Sequence, residues 1–88
     1  MIYSPHPWDM DRAMLRSVKI LVEQHDDGFV AYPLGVNGAV VGQGETADAA
    51  IADARSALEF HIESFGSDVF DESPVLSAFV TEDTVSLG

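Results

Sequence analysis

The sequence contains no cysteine, few basic residues and no long hydrophobic run. Without cysteine the chain has no disulfide, no thiolate nucleophile and no thiolate ligand for a metal. DNA binding needs clustered cations that replace the counterions of the phosphates, so four lysines and arginines predict no direct DNA binding. No stretch approaches the roughly 20 apolar residues of a membrane span, and the first 20 residues lack the apolar run of a signal peptide. We therefore expect a cytoplasmic protein without a membrane partner.

The chain is instead strongly acidic, with 15 aspartates and glutamates and a net charge of −11. Two interpretations stay open: the charge favours a basic partner through complementary fields, or it only keeps the protein soluble. The 88 residues suffice for one domain with a modest core. We therefore expect a homodimer or higher homo-oligomer. Residues 1–15 have no clear period and are interpreted as an N-terminal arm, and residues 16–88 as the domain.

Alternating apolar residues predict an antiparallel meander of three strands in the first half of the domain. In the first strand Val18, Ile20 and Val22 share one face, with Leu21 on the other. Asp27 and Gly28 are typical of the tight turn that follows. The predicted strands cover residues 18–24, 29–32 and 39–42.

Helical spacing of apolar residues predicts a helix from Ala47 to Phe65, which is the strongest structural signal in the chain. Thr46 is suited to cap its start and Gly66 to end it. Residues 78–87 are predicted as a last strand. The resulting order βββαβ indicates an α+β fold with a mostly antiparallel sheet, in the strand order 3-2-1-4, and the helix on one face.

The span from Ile20 to Gly66 resembles the N-terminal domain of the HicB antitoxins, which belong to bacterial HicA–HicB toxin–antitoxin pairs. The most specific element is Gly44-Glu45-Thr46 leading into an alanine-rich helix after a meander. Family members usually have a proline where this chain has Asn37, and often a cysteine where it has Ala39. The other matching pieces are Asp26-Asp27-Gly28-Phe29-Val30-Ala31-Tyr32-Pro33, Gly38-Ala39-Val40-Val41-Gly42-Gln43, Asp48-Ala49-Ala50-Ile51 and the helix end from Leu58 to Ile62.

The resemblance implies a partial RNase H-like fold that lacks the catalytic carboxylates. It also implies binding to HicA, a small basic mRNA interferase with a catalytic histidine. Many HicB proteins continue into a DNA-binding domain, whereas this sequence stops at Gly88. Operator binding is therefore not expected from it.

The residues themselves give no pattern of catalysis. Asp26 and Asp27 have no third partner for a metal, and His61 on the apolar helix face is more typical of a core-edge histidine than of a ligand. Gly42-Gln43-Gly44 precedes a helix but lacks the lysine and the glycine spacing of a phosphate loop. We expect no enzyme activity, no cofactor and no metal.

Two functions follow as hypotheses. In the first, the chain is an antitoxin-like protein that neutralises a small basic RNase of HicA type by covering its active site. In the second, it is a solitary oligomeric HicB-like domain, structural or ligand-binding, without a toxin partner. Phe60 stands out because helix geometry places an apolar ring on a charged face. The candidate partner-binding residues are aromatic (Phe29, Tyr32, Phe60) and acidic (Asp26, Asp27, Glu59, Glu63).

Overall fold

A computed structural model describes residues 15–88, so the expected N-terminal arm lies almost wholly outside the described residues. The described part is a three-stranded antiparallel sheet with one helix, which confirms the α+β class. Within residues 15–88, no helix is both long and apolar enough to cross a membrane. The elements are β1 (Ile20–His25), β2 (Gly28–Pro33), β3 (Gly42–Gly44), α1 (Ala47–Phe65) and a short 3-10 helix (Ser67–Val69).

β1 and β2 form a hairpin around the two-residue turn at Asp26 and Asp27. Gly28 closes the turn at φ +144°, a backbone conformation that residues with a Cβ rarely adopt. The predicted face is confirmed for Ile20 and Val22, which pack towards the core, whereas Val18 lies before β1, which begins two residues later than predicted. The opposite face of the hairpin, which α1 does not cover, presents Leu21, Glu23, Val30 and Tyr32.

The third strand lies further along the chain than predicted. β3 covers Gly42–Gly44, whereas residues 39–41 are extended without strand pairing. Val40 is buried outside the sheet, which accounts for an apolar residue at this position, while Val41 is 58% exposed. The apolar run at 39–41 therefore reflects packing of a loop and not a sheet ladder.

Local signals set both ends of α1, and the predicted bounds are confirmed. At the start, the Thr46 hydroxyl accepts a hydrogen bond from the Ala49 N–H at 3.1 Å. At the end, Gly66 adopts φ +80° and its N–H donates to the Ile62 carbonyl at 2.6 Å. The buried face of the helix consists of Ala50, Ala54 and Leu58.

The sheet and α1 meet through very small residues. Ala31, Ala50 and Ala54 form the buried cluster. Gly42 lies so close to the helix backbone that a Cβ there would sit 2.1 Å from the Ala54 nitrogen. On the other side of this contact, the Asp53 carboxylate accepts the Gln43 N–H at 2.9 Å. The close approach of the two backbones fixes how α1 lies on the sheet.

The predicted fourth strand and the sheet order 3-2-1-4 are wrong for the described residues. The sheet order is β1-β2-β3, and residues 78–87 are exposed and unpaired. After the 3-10 helix the chain is tied to the loop that follows β2, through the Asn37 N–H to the Val69 carbonyl (2.6 Å) and the Asp71 N–H to the Gly35 carbonyl (2.9 Å). Beyond these bonds the chain extends away from the domain. Residues 78–87 therefore have no neighbouring strand to pair with, although their composition favours a strand.

We expect Gly42→Ala to lower the free energy of unfolding by at least about 2 kcal/mol, because the added methyl group overlaps backbone atoms of α1 that cannot move independently. Urea denaturation followed by circular dichroism measures this change. Gln43→Ala, one residue along on an exposed position, is the matched control and should change stability by under about 0.5 kcal/mol. Equal effects of the two substitutions would contradict the close-contact explanation.

Candidate protein-binding groove

An apolar groove runs between the loop at residues 39–41 and the outer side of α1. Its volume is about 490 Å³. Phe60 is 70% exposed at the groove, and Val41 and Phe65 are exposed beside it. Large apolar side chains exposed together are typical of interaction surfaces, whereas single ones are ordinary. The groove is lined by Ala39, Val40, Val41, Asp53, Ser56, Ala57, Phe60, His61 and Phe65.

The groove keeps its shape because the loop is attached to the helix. The His61 Nε2 atom hydrogen-bonds the Asn37 carbonyl oxygen at 2.8 Å. The same ring lies 5.0 Å from the ring of Phe65, tilted by 57°, one helical turn further on. His61 is thus a structural link between loop and helix, and the sequence did not predict its contact with Asn37.

The charged residues next to Phe60 are acidic, and the nearest basic residue on α1, Arg55, lies one turn before Glu59. Asp53 lines the groove. Glu59, which precedes Phe60 in sequence, and Glu63, which lies one turn after it, are exposed on α1. No lysine or arginine is among the lining residues. The arrangement is an apolar centre with an acidic rim formed by Asp53, Glu59 and Glu63.

The structure separates the predicted site residues into three groups. Phe60 lines the groove, and Glu59 and Glu63 are exposed on α1 within one turn of it without lining the groove themselves. Phe29 packs against the buried cluster, and Tyr32 lies on the open face of the sheet. These two aromatic residues are therefore not part of the groove.

Asp26 and Asp27 form a separate acidic end of the molecule. Their turn lies beside Gly44, which contacts the first turns of α1 at Ala49. Phe60 lies about 16 Å further along the helix, at about 1.5 Å per residue. The sequence predicts all four acidic residues as one set of partner-binding residues, whereas the structure places them in two separate groups.

Sequence reasoning missed Val41 and Phe65 as groove residues. Val41 was interpreted as a strand residue and Phe65 as the last member of the buried helix stripe. The position of Phe65 could have indicated its exposure, because it is the last residue of the helix and the helix ends are the least covered by a sheet.

A second cluster lies on the open sheet face. The Tyr32 hydroxyl donates to Glu23 Oε2 at 2.5 Å, and His25 Nε2 lies 2.9 Å from Glu23 Oε1. The Tyr32 hydrogen bond, followed by the His25 hydrogen bond, lowers the pKa of Glu23, and the Glu23 carboxylate raises the pKa of Tyr32. The cluster therefore favours the charged form of the Glu23 carboxylate.

Other parts of the described chain give weaker indications of a binding site. A larger cleft of about 680 Å³ lies between the residues after α1 and the start of the domain, and its lining is polar. Its one cation, Arg16, already lies 4.0 Å from the centre of the Phe70 ring. Among residues 15–88, no three histidine, aspartate or glutamate side chains converge as a metal site requires.

We expect Tyr32→Phe to raise the pKa of Glu23 towards its ordinary value of 4.5, because the strongest of its stabilising hydrogen bonds is lost. The Glu23 side-chain carbon shift, followed by NMR against pH, measures this. His25→Gln is the matched variant and should raise the pKa less. Because the folded-state pKa lies below the unfolded one, this stabilisation is present above about pH 4.5 and disappears as the pH falls through the folded value. An unchanged Glu23 titration in Tyr32→Phe would contradict the assignment.

Comparison of the chain with protein-family models, with curated proteins and with solved structures gives no match. A function for this chain therefore has to follow from its own residues, foremost from the apolar groove and its acidic rim.

Proposed function

We propose that this chain is an antitoxin-like binding module of HicB type, with a partial RNase H-like fold and no enzyme activity of its own. Its partner is a small basic mRNA interferase of HicA type, which it neutralises by covering the active site. The meander followed by Gly44-Glu45-Thr46 and an alanine-rich helix supports the assignment to this type, and the α+β arrangement agrees with it.

The observation that carries the proposal is the groove beside Phe60. Its centre is apolar and exposed, its charged lining residue is Asp53, and Glu59 and Glu63 flank it. An RNase must present cations to hold the phosphates of its substrate. An acidic rim around an aromatic anchor is complementary to such a surface, and the net charge of −11 extends this complementarity over the whole molecule.

The two parts of the groove have different roles in this mechanism. The acidic rim attracts the basic surface of the RNase and speeds encounter, while a competitor of like charge is repelled. Rim charges are screened by salt and add little affinity. The affinity comes from desolvation of Phe60 and its apolar neighbours at the centre of the contact. An RNase held in this way has its phosphate-binding cations covered, so RNA is excluded.

Reversing the rim charges with Glu59→Lys and Glu63→Lys should slow association with the RNase about tenfold at low salt and flatten the dependence of the rate on salt. Dissociation should change less. Stopped-flow or surface-plasmon measurements at several ionic strengths give both rates. Asp26→Lys with Asp27→Lys is the matched control, since it changes the net charge equally at the other end of the molecule. A larger effect from the control would move the binding surface to the hairpin turn.

Truncating the anchor with Phe60→Ala should speed dissociation about 10- to 30-fold, with the association rate nearly unchanged, because an apolar contact is formed after encounter. Leu15→Ala removes a comparably exposed apolar side chain outside the groove and serves as control. If both variants dissociate like the unsubstituted chain, Phe60 is not the anchor.

The proposed function implies that a small basic protein is encoded beside the gene for this chain, and that protein is the one to test. Its expression alone should arrest growth and cleave mRNA, and co-expression of this chain should restore growth. With both proteins purified, this chain should suppress RNA cleavage at a 1:1 ratio of the subunits. If the neighbouring protein cleaves RNA equally well in the presence of this chain, the solitary HicB-like domain replaces the antitoxin as the function.

A further inference from the structure

The segment after the domain, residues 74–88, is rich in apolar residues yet lies in solvent. Phe79 is 86% exposed, Leu87 is 99% exposed, and Leu76, Val80 and Val85 are similarly uncovered. Single exposed apolar residues are normal, but five in one extended segment leave a large area of hydrocarbon in water. We therefore expect the apolar side chains of this segment to pack against another protein surface.

The backbone of this segment is equally unpartnered. Residues 72–88 form no backbone–backbone hydrogen bond with any described residue. Their two hydrogen bonds are local, from the Thr84 N–H to Asp83 and from the Gly88 N–H to Ser86. An extended chain of this kind can complete its hydrogen bonds on the edge of a sheet.

Such an edge is present on β1. In the described residues β1 pairs with β2 alone, so its outer side presents unpaired N–H and C=O groups. β1 has six residues, which a segment such as 76–81 matches in length.

The path of the chain links the two features. Pro74 and Val75 lie beside residues 16–19, immediately before β1 begins, and Val75 is also close to Gly35. A segment that continued from there along a β1 edge would run parallel to β1. In the structure it does not turn onto its own edge but extends away from the domain, after a proline that restricts the backbone at the point of departure.

We propose that residues 76–81 add a strand to the β1 edge of a second copy of this chain, and that the two copies exchange these segments reciprocally. The occupant is a second copy because the segment already leaves its own domain extended, and because exchange brings two small cores together. The described core contains no fully buried large side chain, so each domain gains from the contact. This inference does not depend on the RNase partner.

Light scattering tests the assembly on the full chain. At tens of micromolar we expect twice the 9.5 kDa mass of the chain. Phe79→Asp should convert the dimer to monomer with an unchanged circular dichroism spectrum, whereas Val85→Asp, outside residues 76–81, should leave the dimer intact. A monomer for the unsubstituted chain, or a dimer that Phe79→Asp does not weaken, would overturn the exchange.

Disulfide trapping distinguishes a second copy from the chain's own edge, since the chain has no cysteine of its own. Val75 lies beside residues 16–19, so a count of about 3.3 Å per residue places Ser77 beside the first residues of β1, which include Leu21. Leu21→Cys and Ser77→Cys, made in separate proteins and refolded together, should form a covalent heterodimer, because a disulfide needs its Cα atoms within about 7 Å. Ser86→Cys in place of Ser77→Cys should trap at least fivefold less.

Placing both cysteines in one chain tests whether the segment binds a second copy or its own domain. Exchange predicts a covalent dimer on a non-reducing gel. A monomer with an internal disulfide would show that the segment closes on its own β1, and absence of trapping in both formats would show that any dimer uses another surface. Either outcome overturns the proposal.

Discussion

The close contact between β3 and α1 is the constraint on which the rest of the structure depends. Gly42 and Gly44 bring the strand against the helix at Ala50 and Ala54 with no side chain between the two backbones. This distance sets the height of α1 over the sheet, so that the small Ala31 fits directly beneath the helix, with Ile20, Val22 and Phe29 packed around it. A larger residue at any of these positions would lift the helix and open the core.

A core built from small residues leaves the large apolar ones elsewhere. Phe60, Phe65 and Val41 lie outside because the sheet ends before the last turns of α1 and the loop at 39–41 passes alongside. The same constraint that makes the interior shallow thus produces the exposed groove. Burying little area per domain also makes contact with other chains a larger share of the total stability.

The sequence predicts best what is decided locally. Thr46, Gly66 and the apolar spacing between them define α1 because a cap and a C-terminal glycine act within one turn. The position of β3 and the fate of residues 78–87 depend on tertiary contacts. Val40 is buried by the helix and not by a sheet, and a β-like composition forms a strand only where an edge is within reach. The groove escaped prediction for the same reason, because it joins a loop and a helix end that are distant in sequence.

The Asp53 carboxylate that accepts the Gln43 N–H affects which edge of the sheet can pair with another strand. Gln43 lies on β3, the strand at the far side of the sheet from β1, and its amide is occupied by a charged side chain of the helix. A sheet with two free sides can polymerise by stacking copy upon copy into a fibre. Because the Asp53 carboxylate occupies the Gln43 N–H, the β3 edge offers an incoming strand fewer free hydrogen-bond donors than the six-residue β1 edge does.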